Sequence, residues 1–302
     1  MDFPVAAILP QVFTAGWLYL GAMIVAYGIA NLLQSVAAAR TSHEQRFHPG
    51  LLLRLAEHRT YLMGVGCQLM AFLLAFFARR ELPLFLVQAS VAAGLGVTAL
   101  LGVGMLKWRL PAAELVLLGL LGMGIAGLIV SAEPAPSRQL GLLAEFGLGA
   151  ALGVLAVAGF FAVRLRGATG SVVLGSLSGV AFGAAAVASR PLANVDVRDF
   201  LGNPLFYLVI AHSLVGQLLL GLAMQRGSTT AAVAAMDAAA AVPAAVVGLV
   251  LLGDRIWPGR EWLAMLGFLV TLGAVIGLTR YAEPQHHHEH QPEPVGAGVS
   301  MR

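Results

Sequence analysis

Charge is what this sequence has least of. Only 11% of its 302 residues are Asp, Glu, Lys or Arg, and 59% are hydrophobic. A soluble domain carries about a quarter charged residues. The shortage excludes a soluble enzyme, a nucleic-acid-binding module and a disordered scaffold, because only a bilayer solvates so much apolar surface. Lysine is nearly absent as well: Lys107 is the single one, and arginine supplies the rest of the positive charge. The net charge of +3 is too slight to imply a nucleic-acid partner. The single cysteine, Cys67, permits no intramolecular disulfide and no thiolate metal cage, so it reads as a small core residue. The sequence also lacks a Walker loop, a paired-histidine metalloprotease motif and a Gly-x-Ser-x-Gly elbow. ATP is therefore excluded as an energy source, no cofactor is implied, and no catalytic constellation is visible. The expectation is a protein that is not an enzyme.

What the sequence does have is long apolar runs. A helix needs about 20 apolar residues to cross the hydrocarbon core. Nine segments qualify, near Phe13–Ala39, Tyr61–Ala78, Leu82–Leu106, Pro111–Ser131, Leu140–Val163, Gly170–Ser189, Pro204–Met224, Ser228–Leu252 and Trp262–Leu278. A tenth arises if the segment around Gly50–Leu55 also enters the membrane. The expected fold is all-α, a polytopic helical bundle in the lipid bilayer. One transmembrane domain would fill residues 1–281, followed by a polar, Pro- and Gly-bearing tail over 282–302 that reads as disordered. The start of the chain is acidic and its first apolar run is a full span, so no signal-peptide cleavage is expected.

Loop arginines and lysines set the expected orientation. With the N-terminus outside, eleven fall on the inner side. Seven fall on the outer side: Arg79, Arg80, Arg138, Arg190, Arg198, Arg255 and Arg260. The balance favours a plasma (inner) membrane protein with its C-terminus in the cytoplasm. The long connection Arg40–Thr60 contains a short amphipathic stretch, Leu51–Arg59, suited to lying on anionic headgroups or to acting as a gate. In the tail, His286, His287, His288 and His290 form a cluster that suits a divalent transition metal or is an incidental feature of a soluble tail.

The chain also resembles itself. The stretch from Gln68 and the stretch from Gln217 both open on glutamine and cross a basic break into a second apolar span. Gln68 matches Gln217 and Gln88 matches Asp237, both at a separation of 149. Pro111 with Glu114 matches Pro258 with Glu261 at 147, and each half closes on Ala-Glu-Pro. The halves fall at about 1–136 and 137–281. A shift of five spans is odd, so the two copies run in opposite directions through the membrane, an arrangement that builds two alternative gates around one site.

The hairpin Leu251-Leu252-Gly253-Asp254-Arg255-Ile256 resembles the "L-G-E-R-L" turn of the drug/metabolite transporter superfamily (EamA-like). Met105-Leu106-Lys107-Trp108-Arg109-Leu110 resembles the first-half version, with Trp108 where that motif is acidic. The nine-span layout looks most like the NIPA-type magnesium transporters. The resemblance implies two inverted halves moving a small solute or ion.

Asp237 is the sharpest signal, a carboxylate near the middle of its span, where it costs on the order of 3 kcal/mol unless it faces protein or water. It reads as the binding group for a transported cation or a coupling proton, or else as a neutral, hydrogen-bonded packing device. Small residues share its face, and Pro243 follows within two turns. His212 is either a proton relay or a buried hydrogen-bonded histidine. Gln68, Gln88 and Gln217 suit a polar solute or interhelical contact. Asn31, with Gln34 and Tyr27 near it, is placed to line an inward vestibule. Glu114 and Glu261 are expected in first helical turns, where they meet the helix dipole. Glu145 reads as a shallow interfacial carboxylate, and Asp254 as the ion-pair partner of Arg255 in the hairpin. Glycine pairs at spacing four, Gly175/Gly179/Gly183, Gly149/Gly153 and Gly273/Gly277, suit close contacts within one chain or across a homodimer.

The expected function is secondary transport of a small cation, Mg2+ first, or of a small polar metabolite. The alternatives are a flippase for a lipid or lipid-linked sugar, and a membrane scaffold that transports nothing.

Overall fold

The computed structural model describes residues 15–41, 59–107, 110–196, 198–226 and 229–288. Ten helices account for almost all of it: α1 (Ala15–Thr41), α2 (Arg59–Ala78), α3 (Leu84–Ser90), α4 (Ala93–Leu106), α5 (Ala112–Ser131), α6 (Leu142–Ala162), α7 (Gly167–Leu192), α8 (Pro204–Arg226), α9 (Thr229–Val250) and α10 (Glu261–His288). The protein is an all-α bundle of the multi-pass membrane type. Among the described residues, eight helical stretches are long and apolar enough to cross a membrane, while the apolar part of α2, Leu62–Ala78, falls just short. The only strands described are two residues each, β1 (Ala132–Glu133) and β2 (Arg255–Ile256), paired antiparallel.

Eight expected spans form as single helices, with ends within a few residues of those read from sequence except that α10 runs ten residues past Leu278. The third does not. It breaks into α3 and α4 at Val91–Ala92, where the carbonyls of Ala89, Val91 and Ala92 accept short-range turn bonds. Residues 282–288, expected to belong to the disordered tail, continue α10 instead. The amphipathic stretch Leu51–Arg59 lies outside the described residues except for Arg59, which opens α2. His290 and the side chains of His286, His287 and His288 are likewise outside what is described. Glu114, Glu145 and Glu261 sit in the first turns of α5, α6 and α10, where the free N–H groups favour negative charge.

The helix pairing follows the five-span shift. α1 packs along α2 and across α4; five spans on, α7 packs along α8 and across α9. The α3–α9 and α5–α10 contacts map onto themselves under the same shift. At the α5–α10 crossing the two partners trade places: a Cβ on Gly124 would stand 2.8 Å from the Gly267 carbonyl oxygen, and one on Gly267 would stand 2.7 Å from that of Gly124. Such reciprocity is what a local two-fold axis produces. The hairpin residues Lys107 (φ 56°) and Gly253 (φ 74°), 146 apart in sequence, are both left-handed and end matching spans. α6 has no counterpart and packs at the side, against α7 and α8.

Without a hydrophobic difference between lipid and leucine, such crossings depend on close backbone approach. Gly175, Gly179 and Gly183 face the Ala232, Met236 and Ala240 carbonyls of α9, and Gly28 of α1 lies against Val97 of α4. The Thr98 hydroxyl ties the α1–α4 crossing by donating to the carbonyls of Gly94 (2.8 Å) and Gly28 (3.1 Å). The other glycine pairs differ: Gly149, Gly153 and Gly273 face open space, and only Gly277 meets a neighbour, Leu117. Cys67 is half-buried on α2 and not part of the core.

Gly179→Ala drives a methyl group into the α9 backbone and is expected to destabilise the protein by about 1–3 kcal/mol. Gly149→Ala, where space is open, is expected to be neutral or stabilising. Thermal unfolding of the two variants in detergent measures the contrast.

Candidate functional site

A small cavity of about 30 Å³ lies where the broken third span meets α9 and α10, room for about two waters. Gln88, Ala89, Val91 and Ala92 line it from the break, Asp237, Ala240 and Ala241 from α9, and Phe268, Thr271, Leu272 and Val275 from α10. Asp237 is eight residues beyond Thr229, so about 12 Å along the helix at 1.5 Å per residue. The sequence matches Gln88 with Asp237 across the repeat, and the fold brings both to one cavity. The Thr271 hydroxyl there is buried and has no hydrogen-bond partner.

Behind Gln88 stands a residue that the sequence reading assigned to a loop. Arg79 is 4% exposed. Its guanidinium donates to the Gln88 side-chain oxygen at 3.3 Å and to the Ser189 hydroxyl at 3.1 Å. Burial pulls it down to about 10, so it stays charged at neutral pH. No described carboxylate lies within ion-pair distance of it. Tyr27 of α1 is within electrostatic reach of both Arg79 and Asp237.

Arg190, also counted among the outer-loop charges, is fully buried at the end of α7. Its Nη2 meets the Asp254 carboxylate at 2.6 Å. Its Nη1 donates to the carbonyl of Arg79 at 2.6 Å and also to that of Leu82, while Nη2 reaches Ala135 at 3.2 Å. The second Asp254 oxygen accepts the Leu84 N–H at 2.5 Å, which caps α3. Asp254 also packs against Gly248, where no Cβ fits. One ion pair thus joins α7, the α2–α3 turn, the start of α3, the segment after β1, and the α9–β2 turn. Around it, Glu81 accepts the Gly16 N–H at 2.8 Å and Arg260 donates to the Val130 carbonyl at 2.7 Å. This end of the bundle is held by the buried Arg190–Asp254 pair and, around it, by bonds from the half-buried Glu81 and the exposed Arg260. Asp254 therefore does not pair with Arg255 as expected; Arg255 is exposed and approaches Glu133 at 3.8 Å. Only Arg190 can satisfy a carboxylate pointing inward.

The remaining expected site residues scatter. Gln68 and Gln217 are exposed on outer faces of α2 and α8, and neither lines the cavity. Period-3.6 rotation puts them on the wrong side of helices whose repeat positions otherwise match. His212 is fully buried. Its Nδ1 is 2.9 Å from the Leu208 carbonyl oxygen and its Nε2 has no hydrogen-bond partner, but it too is not among the lining residues. Asn31 is half-buried on α1, one turn from Tyr27. Among the described residues, no group of three His, Cys, Asp or Glu side chains is placed to hold a metal ion. Two sequence signals pointed to the missed arginines. Arg79 directly follows an apolar helix, and Arg190 follows Ser189 at the end of a long small-residue run and is followed by apolar Pro191-Leu192-Ala193.

These features define an all-α protein of the multi-pass membrane type with a small, mostly apolar cavity that carries Gln88, Asp237 and Thr271. Comparison with protein-family models, curated proteins and solved structures finds no match.

Removing one partner of a buried ion pair strands the other charge, at about 3–5 kcal/mol. Arg190→Met and Asp254→Leu are each expected to lower thermal stability by that order, and the double variant to regain most of it. A double-mutant cycle in detergent measures the coupling.

Proposed function

We propose that this chain is a secondary transporter that moves a small cation or a small polar metabolite by alternating access. The observation that carries the reading is the meeting of Gln88 and Asp237. Two residues matched across an inverted repeat converge on one cavity, at a break in a membrane helix, beside an otherwise unexplained carboxylate. Transporters place their solutes at interrupted spans; here the interruption is one tightened turn, whose carbonyls accept short-range bonds. The halves meet at the small-residue crossing of Gly124 with Gly267, which permits sliding, and one end carries a polar lattice that can break and re-form as a gate.

The drug/metabolite transporter-like hairpins point the same way, and their NIPA-like layout makes Mg2+ the first probe. The orientation proposed is N-terminus outside and C-terminus in the cytoplasm of a plasma membrane. With Arg79 and Arg190 buried, the outer side retains five arginines, Arg80, Arg138, Arg198, Arg255 and Arg260, against eleven inner charges. The positive-inside bias is thereby stronger than the full loop count gives. In this orientation the Arg190–Asp254 end faces outward.

Purified protein in liposomes tests the reading. Flux of Mg2+ or of a labelled small polar solute is expected above that of protein-free vesicles. Asp237→Asn is expected to lower that flux about tenfold or more, whereas Gln68→Ala and Gln217→Ala, on exposed faces, leave it unchanged. Undiminished flux in a folded Asp237→Asn protein contradicts the role given to Asp237.

A further inference from the structure

The inverted repeat leaves one helix without its mate. α6 lies along α8 in the same direction: Leu148, early in α6, packs into the cluster of Leu205 and Val209, and Ala162, at its end, into that of Leu219 and Ala223. The Leu219 side chain, 6% exposed, fills the space beside Gly159 of α6. At the 149-residue separation of the repeat, Val215, Leu219 and Leu222 of α8 correspond to Gly66, Met70 and Leu73 of α2. The three α8 residues are buried or half-buried, whereas all three on α2 are exposed, Met70 at 54%. A Cβ on Gly66 would meet nothing within 4 Å. The seat that α6 fills on α8 is bare on α2.

Exposed leucine is ordinary in a bilayer, so the bare face gains its meaning from two further features. Met63, Gly66, Met70, Leu73 and Phe77 are all exposed and follow one another at three- and four-residue steps, one stripe along the helix. The helix is also short. Its apolar part, Leu62–Ala78, gives about 26 Å of helix against a hydrocarbon core of about 30 Å. Associating with another helix is one way a short span relieves that mismatch. The longest stretches outside the described residues, 1–14, 42–58 and 289–302, each fall below the about 20 residues of a span. A covering helix therefore comes from another chain.

We propose that a second copy of this protein covers the face, α2 of one protomer packing along α2 of its partner about a two-fold axis parallel to the membrane normal. Such an axis keeps the two helices parallel, the direction in which α6 runs along α8. Gly66 lets the two backbones approach closely, and Met63 and Met70 on either side of it are unbranched and adapt to their own copies. The contact uses none of the cavity residues, so dimerisation and transport stand or fall separately.

The test uses the full-length protein in liposomes, in a Cys67→Ala background with one new cysteine at a time. Met70→Cys probes the proposed contact. Val154→Cys on α6 and Leu218→Cys on α8, whose parent residues are 67% and 69% exposed, are the controls. Under copper-phenanthroline oxidation Met70→Cys is expected to link into dimers about tenfold or more faster than either control, because a bound partner raises the local thiol concentration. Gly66→Leu is expected to weaken the dimer about tenfold, read by single-molecule photobleaching of labelled protein at low protein-to-lipid ratio. It is expected to leave thermal unfolding in detergent unchanged, since its side chain enters open space within the protomer. Met70→Cys linking no faster than the controls, or a dimer indifferent to Gly66→Leu, overturns the α2 contact. A chain that stays monomeric overturns it too: lipid is then the occupant in liposomes, and a Met70→Cys adduct of a different mass in cell membranes identifies a different protein.

Discussion

The Arg190–Asp254 pair is the interaction on which the rest of the arrangement depends. A membrane bundle has few strong contacts, since lipid competes equally for apolar side chains. Here one guanidinium and one carboxylate, both out of water, satisfy carbonyls from the α2–α3 turn and the segment after β1 and cap the first turn of α3. The pair is weak evidence for stability in its own right, because its desolvation offsets much of its attraction. Its consequence is geometric: it fixes where α3 begins, and so where Gln88 stands.

From that end inward, the polar groups differ in their partners. Arg190 and Asp254 pair with each other, while the Arg190 Nε has no hydrogen-bond partner among the described residues. Arg79 has neutral partners only, Ser189 and Gln88. Asp237 and Thr271 face the cavity, and the Thr271 hydroxyl has no hydrogen-bond partner among the described residues. Unsatisfied groups in a membrane interior are costly, and they persist where something else completes them. The small-residue crossings at Gly179 and at Gly124–Gly267 let the elements bearing these groups lie against each other without side chains between.

Much of the fold was legible in the sequence because apolar length is a one-dimensional signal. Helix positions, the first-turn glutamates and the Gly175/Gly179/Gly183 contact all follow from composition and spacing. The Gln88–Asp237 match also held, since equivalent residues in an inverted repeat approach a common axis. Which way a residue faces was harder to read. Gln68 and Gln217 match each other equally well yet lie on exposed faces, because in apolar helices no amphipathic stripe marks the inward side. Arg79 and Arg190 were counted as loop charges for a related reason. The rule that sorts arginines to loops holds on average, and it carries no information on which side chains turn inward. The break at Val91–Ala92 carries no proline, so nothing local announced it.

The central claim is that one cavity at Asp237 opens to alternate sides and that the Arg190–Asp254 lattice holds one of them shut. A single cysteine at the cavity wall, Ala241→Cys in a Cys67→Ala background, reports this directly when a membrane-impermeant thiol reagent is added to either side of oriented vesicles. The account predicts slow labelling from the sealed side and faster labelling from the other, with Asp254→Asn raising the sealed-side rate. Equal labelling from both sides, or a sealed-side rate unchanged by Asp254→Asn, would contradict it.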